Sequence, residues 1–165
     1  MTRHTLALAA ACGALALAPG APAALRASPA PPPPADSGIN RIESAYGVDE
    51  TVARLKADVA AKNIRFFSEI DQTEVAKTAG IPLQRSTLIQ FGNPPLGIQF
   101  LTASPYAGLD WPVRMLVFQD TDGRVWVSWT DFAFIARRQH IDNRDAQFKM
   151  ASEVAASIAH SATVR

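Results

Sequence analysis

The region that most constrains the fold is residues 111–130, WPVRMLVFQDTDGRVWVSWT, because two apolar runs flank one tight turn. The turn contains Asp122 and Gly123. Asp-Gly between runs of alternating hydrophobic residues is the strongest short-range signal for a β-hairpin. Since the strands of a hairpin run antiparallel, the chain is expected to form a sheet that is at least partly antiparallel.

This hairpin has the further feature that both of its faces carry large apolar groups. Val125 and Val127 alternate with Trp126 on the second strand, and Leu116 and Phe118 lie on one side of the first. A sheet with one face in water should alternate cleanly between apolar and polar residues. We therefore expect the second face to be covered in part by a partner subunit, a ligand or the chain's own loops.

Periodicity predicts the remaining elements. Val52, Leu55 and Val59 are spaced three and four apart on one side of a helix, and Asp49 is expected to cap it. The predicted strands cover residues 39–46, 64–70 and 86–91, and the predicted helices cover residues 49–63, 71–80, a short segment after Asn93, and 144–162. This order predicts an α+β domain whose mixed, largely antiparallel sheet has helices packed on one face.

The segment FGNPPLG, which begins at Phe91, is predicted to form a corner between a strand and a helix. Gly92 permits a sharp turn, Asn93 suits the N-cap, and Pro94 suits the first helical position. The alternative is an anion site at the start of this helix. The two prolines favour the structural corner, because they remove N–H groups that would bind an anion.

The N-terminal region has the layout of a targeting signal. A short basic start, an apolar run over residues 5–18 and small residues in A-x-A spacing indicate a signal peptide of residues 1–23, with cleavage after Ala23. Lipidation of Cys12 is disfavoured by Ala9 three positions before it. Residues 24–38 are predicted to be a proline-rich, disordered tether before a domain at 39–165. We therefore expect a periplasmic or secreted protein that has no membrane span after cleavage.

Composition excludes several classes of function. The chain has 16 basic and 15 acidic residues and no basic stripe, so nucleic-acid binding has no electrostatic support. Cys12, the only cysteine, lies in the signal, so neither a thiolate metal site nor a cysteine nucleophile is expected. No metal, no cofactor and no catalytic residue is predicted, since glycine-rich phosphate loops and G-x-S-x-G are also absent.

The doubly apolar hairpin supplies the leading functional hypothesis, a non-enzymatic binding domain that homodimerises through one sheet face. We place Arg65, Glu69 and Arg114 on this face. The alternative is a small-molecule-binding enzyme or sensor with a polar pocket near Arg65, Arg114 and His140, and a third is a structural envelope protein held by the tether. The ligand or interface candidates are Arg65, Phe67, Glu69, Arg114, Leu116, Phe118, Trp126 and His140.

The order of these motifs resembles the family known as domain of unknown function 302. Its pattern of F-G-N-P, a glycine, a short helix, a D-G turn and a V-x-V strand matches FGNPPLG and residues 111–127, and residues 51–71 and 76–94 resemble its first half. The resemblance implies a compact α+β fold of the TATA-box-binding-protein class, often dimeric, without an established activity. Trp111 departs from the leucine usual in the family, which affects local packing.

Overall fold

The computed structural model describes residues 32–163. The predicted signal peptide of residues 1–23, with Cys12, and the part of the tether before residue 32 lie outside the described residues. The described elements are, in chain order, β1 (Ile39–Glu43), α1 (Val48–Ala61), β2 (Arg65–Asp71), α2 (Gln72–Thr78), β3 (Ser86–Gly92), α3 (Pro94–Ala103), a 3-10 helix (Pro105–Leu109), β4 (Val113–Gln119), β5 (Val125–Thr130), α4 (Phe132–Arg138) and α5 (Asp145–His160).

The strands form one five-stranded sheet in the order β1-β5-β4-β3-β2. Every pairing among the described strands is antiparallel. The hairpin predicted from Asp122-Gly123 joins β4 to β5, and Gly123 has the positive φ of 83° that its turn requires. The α+β class with a largely antiparallel sheet is therefore confirmed.

The core lies between one face of the sheet and the helices. Ile89, Met115 and Val127 project from three neighbouring strands and are fully buried. They belong to the same apolar cluster as Leu55 of α1 and Ile158 of α5. Because each such side chain contributes about 1.5–3 kcal/mol when it is removed from water, this layer holds the helices on the sheet.

The cap of α1 and the presence of α4 differ from the sequence prediction. The N-cap of α1 is Gly47, and Asp49 lies in the first turn, so the prediction of Asp49 as the cap is wrong. Asp49 instead forms an ion pair with Arg85. Helix α4 was not predicted from the sequence, and its N-cap Asp131 accepts a hydrogen bond from the backbone N–H of Ala133.

A β-bulge at Phe67 interrupts the pairing of β2 with β3. Phe66 pairs with Phe91, but Ser68 pairs with Gln90 and Glu69 with Ile89. One extra residue reverses the alternation of side chains. The residues after the bulge therefore project to the face opposite the one that a regular strand would give them. The bulge lies in an edge strand, which is where bulges are common.

Candidate functional site

The sheet face opposite the buried layer is the candidate site, and we call it the open face. Its apolar centre runs across four strands and consists of Ile70, Leu88, Leu116, Phe118 and Trp126. Leu116 lies opposite Leu88 on one side, and Phe118 lies opposite Trp126 on the other. These side chains are half-buried or exposed, so this part of the face is apolar and accessible.

Polar groups surround this apolar centre. One neighbouring row contains Ser68, Gln90 and Arg114 on successive strands. The Ser68 hydroxyl donates to Gln90 Oε1 over 2.8 Å. Arg114 is about half exposed and donates one hydrogen bond to the carbonyl oxygen of Leu109 over 2.9 Å. The face therefore has the apolar centre and polar rim that characterise protein interfaces.

Trp126 is held in place on this face from two directions. The Arg41 guanidinium lies 4.1 Å from the centroid of its ring, which is within the range of a cation–π interaction. The indole Nε1–H donates to Asp120 Oδ2 over 2.8 Å. The ring is thus fixed before any partner binds, so its contact area is presented with little loss of side-chain entropy.

Asp120 is buried at the hairpin turn and supports Trp126. Its carboxylate also accepts from the backbone N–H groups of Asp122 and Arg124. The hydrogen bond from Trp126 is the largest cause that lowers the pKa of Asp120 below its ordinary value of 3.8, opposed by burial. A carboxyl whose pKa is lowered by folding stabilises the native state above its unfolded pKa, and this contribution disappears as pH falls through the folded pKa.

We predict that Asp120→Asn lowers the urea midpoint at pH 7 and that the difference from wild type closes as the pH falls below about 4. The Asn side chain keeps one acceptor oxygen, but its NH2 group would face the N–H groups that now donate to Asp120, which is unfavourable. Asp71 also has a lowered pKa, through its backbone hydrogen bonds to α2, and supplies the residual acid sensitivity. Urea titrations from pH 7 to pH 2.5 measure both effects. A difference that stays constant over this range contradicts the prediction.

The structure separates the predicted charged residues. Arg65 pairs across from Gly92 at the edge of the sheet, and Arg114 lies two strands further in. Glu69 follows the bulge and pairs across from buried Ile89, and its carboxylate accepts from Lys56 of α1 over 2.7 Å. The prediction that Glu69 shares the open face is therefore wrong, because the bulge turns it towards the helices.

His140 ends α4 and has φ of 53°, in the left-handed region. Its backbone N–H donates to the carbonyl of Arg137, and that of Ile141 donates to the carbonyl of Ala136. These two bonds form a Schellman motif, which satisfies the last carbonyls of a helix. His140 is thus positioned by the end of a helix, whereas Arg65 lies on β2 and Arg114 on β4. Arg114 lies 3.7 Å from Asp110, which also accepts a hydrogen bond from Gln139, the residue before His140.

We predict that His140→Gly raises the free energy of unfolding by about 1 kcal/mol, because glycine adopts the left-handed conformation without the side-chain penalty. Asn63→Gly is the matched control. Asn63 has the same φ of 53° at the end of α1, and asparagine tolerates this region, so a smaller gain is expected. Urea unfolding measures both. Loss of stability in His140→Gly would show that the imidazole makes contacts of greater value than the backbone strain.

The FGNPPLG corner places α3 and Trp111. Asn93 occupies the N-cap, but its side chain makes no capping hydrogen bond, and Pro94 is the first helical residue. A methyl group added at Gly92 or Gly97 would overlap the Trp111 indole. The two glycines therefore leave space for this ring, a packing role that the sequence alone did not reveal.

Residues 32–163 contain neither a metal-binding cluster nor a membrane-spanning helix. No three His, Cys, Asp or Glu side chains are grouped there in a way that could bind a metal ion. None of the helices in that range combines the length and apolar character needed to cross a bilayer.

Comparison with known proteins places these features in a family. The family model described as domain of unknown function DUF302 matches residues 40–162. A crystal structure of an uncharacterised conserved DUF302 protein from Bacillus stearothermophilus superposes with a TM-score of 0.70 at 13% identity, covering 76% of this chain and 98% of that one. This likeness shows the shared fold.

Curated relatives match over part of their length. A protein named fluoride-specific ion channel FluC 1 from Brucella suis biovar 1 (strain 1330) is 36% identical over 106 residues, which is 64% of this chain and 42% of that protein. FluC 1 from Brucella abortus biovar 1 (strain 9-941) is 36% identical over 106 residues, which is 64% of this chain and 39% of that protein. The chain thus spans about two fifths of these relatives.

Proposed function

Because the chain belongs to the DUF302 family, a family of unknown function, we propose that it is a non-enzymatic interaction domain that forms a homodimer through the open face. The observation that carries this proposal is the apolar centre of the face, in which Leu116 and Phe118 are half-buried within one chain. A second copy would bury the remaining apolar surface, which contributes about 25 cal/mol for each Å² removed from water.

The residue types on the face favour a protein partner. Its centre is aliphatic and aromatic, and arginines stand at its rim, as in interfaces where Trp, Phe and Arg are enriched. Trp126, held by Arg41 and Asp120, is a rigid aromatic anchor of the kind that forms hot spots. No catalytic arrangement is needed for this activity.

The arrangement of side chains about one row of the face supports a second copy as the partner. A two-fold axis along the row of Leu88 and Leu116 would bring the Leu116 side chains of the two copies together. Arg114 and Phe118 lie two residues on either side of Leu116 in β4. The same axis would therefore place the Arg114 guanidinium of one copy over the Phe118 ring of the other, where a cation–π contact stabilises the pair.

The alternative, an enzyme or sensor with Arg65, Arg114 and His140 around one pocket, has weaker support. His140 borders a surface depression with Ala136 and Asp145, and Arg114 borders a different one with Asp110. The channel activity in the names of the Brucella relatives stays with those proteins, since the match covers 42% and 39% of their length.

Sedimentation velocity of the purified chain tests the proposed assembly. We expect a two-chain particle that dissociates on dilution, with a sedimentation coefficient independent of added metal. A single-chain particle at every protein concentration up to the millimolar range would contradict the proposal. A functional dimer is expected to form at protein concentrations well below the millimolar range.

We also propose that the protein is exported and that residues 1–23 are removed. The A-x-A spacing that ends at Ala23 supports this, together with the apolar run before it. Intact-mass spectrometry of protein recovered from the periplasm or medium of producing cells is expected to give a chain that starts at Ala24. A full-length mass in the cytoplasmic fraction, with none exported, would contradict it.

A further inference from the structure

A surface depression lies where the residues that precede β1 meet α4. Its volume is about 390 Å³. This volume is within the range of about 300–1,000 Å³ that small-molecule sites occupy. The lining includes Asp36, Ile39, Asn40, Asp131, Phe134 and Arg137. The depression is therefore large enough to hold a small organic molecule.

The wall that precedes β1 is held by backbone contacts. The N–H of Ser37 donates to the carbonyl oxygen of Pro34 over 2.9 Å, which closes a turn. The N–H of Asp131 donates to the carbonyl oxygen of Gly38 over 2.7 Å. Gly38 has φ of 64°, and a Cβ at this position would overlap the Phe134 ring. The turn is thus attached to the start of α4.

Two charged groups of opposite sign line the depression without a partner. Asp36 and Arg137 are exposed, and neither side chain forms an ion pair or a hydrogen bond with any residue that the structure describes. The side-chain amide of Asn40 is also unpaired within this range. Asp131 differs, because one of its carboxylate oxygens accepts from the N–H of Ala133. The depression thus offers an anion, a cation and a neutral amide to a ligand.

From this arrangement we infer that the depression binds an α-amino acid in its zwitterionic form. The ammonium group of the ligand lies against Asp36, and its carboxylate lies against the guanidinium of Arg137 and the amide N–H of Asn40. An apolar side chain of the ligand covers Ile39 and the ring of Phe134, which supply apolar lining.

The zwitterion is favoured over a simple acid or amine, because either of these forms only one of the two ion pairs. Affinity in the millimolar range is expected, since ion pairs that are exposed to water contribute little.

The inferred site is separate from the apolar centre of the open face. Neither Leu116 nor Trp126 lines the depression, and Phe134 and Arg137 lie on α4. Leu116→Glu is therefore expected to leave the amino-acid affinity unchanged, and variants of the depression are expected to leave the sedimentation of the protein unchanged. Loss of the dimer and loss of the ligand are separate outcomes.

Titration of L-leucine into ¹⁵N-labelled protein tests this inference, with the side-chain amide signal of Asn40 as the reporter. The spectrum of Asn40→Asp identifies this signal by its absence. We expect leucine to shift it saturably. Isocaproate lacks the ammonium group and isoamylamine lacks the carboxylate, so both are expected to bind about two- to fivefold more weakly. If either bound as tightly as leucine, or if leucine caused no saturable shift, the inference would be wrong.

Two variants assign the charged groups of the ligand to their partners. Arg137→Gln is expected to weaken leucine binding about two- to fivefold and to leave isoamylamine binding unchanged. Asp36→Asn is expected to weaken leucine binding by a similar factor and to leave isocaproate binding unchanged. This crossed pattern follows because each variant removes only one of the two ion pairs. Leucine affinity that is unchanged in both variants would overturn the site.

A third variant separates this depression from its neighbour. Arg137 also borders a second depression, which includes His140 and Asp142. Asp142→Asn is the matched control for Asp36→Asn, because both aspartates are exposed. Its leucine affinity is expected to equal that of wild type. If Asp142→Asn weakened leucine binding and Asp36→Asn did not, the ligand would lie in the second depression and the inference would be wrong.

Discussion

Leu116→Glu is expected to convert the proposed homodimer into a folded monomer. Leu116 is half-buried at the middle of the open face, opposite Leu88 and Ser128. A glutamate there would place two carboxylates, one from each copy, in the apolar centre of the interface. Burying a charge without a partner costs several kcal/mol, so we expect the dimer affinity to fall more than about a hundredfold.

Sedimentation velocity and circular dichroism measure this result together. Met150→Glu is the matched control, because Met150 is 55% exposed on α5 in the helix layer, away from the open face. It should remain a dimer. If Leu116→Glu still sediments as a dimer, the open face is not the interface, and if both variants become monomers, general charge repulsion is responsible.

Met115→Ala is expected to lower the free energy of unfolding by about 2–5 kcal/mol without changing the subunit count of the folded protein. Met115 precedes Leu116 in β4, but it faces the helices and is 0% exposed. Truncation leaves a cavity between the sheet and the helix layer. The loss is a large part of the 5–15 kcal/mol that typically stabilises a domain, so partial unfolding near 37 °C follows.

Urea unfolding at one fixed protein concentration measures this effect, because the proposed dimerisation would make apparent stability depend on concentration. Met150→Ala makes the same substitution at an exposed methionine, and a change within about 0.5 kcal/mol is expected. A comparable loss in both variants would show that methionine itself, and not burial at position 115, sets the result. Two adjacent residues of one strand thus separate folding from assembly.

The main features of the fold could be predicted because they depend on local sequence. The Asp122-Gly123 turn sets the β4–β5 hairpin, and the spacing of Val52, Leu55 and Val59 sets the buried side of α1. Helix α4 was missed because Phe132 and Phe134 are two residues apart, which is the spacing of a strand.

The site could be predicted only in part, because a bulge and a packing contact depend on residues distant in sequence. The apolar character of Leu116, Phe118 and Trp126 follows from simple alternation. The position of Glu69 does not, since the bulge at Phe67 reverses the register after it. Likewise, the fit of Trp111 against two glycines requires a strand, a helix and a loop to meet.

The bulge at Phe67 has a consequence for the size that assemblies of this protein can reach. Both outer strands have unpaired backbone groups. A regular outer strand can pair with a strand of another molecule, and repeated pairing of this kind has no limit. At one border the hydrogen-bond ladder is broken by the bulge, and at the other β1 has five residues. Growth of endless fibrils along the borders is thereby discouraged, and the proposed back-to-back contact of two molecules would be a self-limiting mode of association.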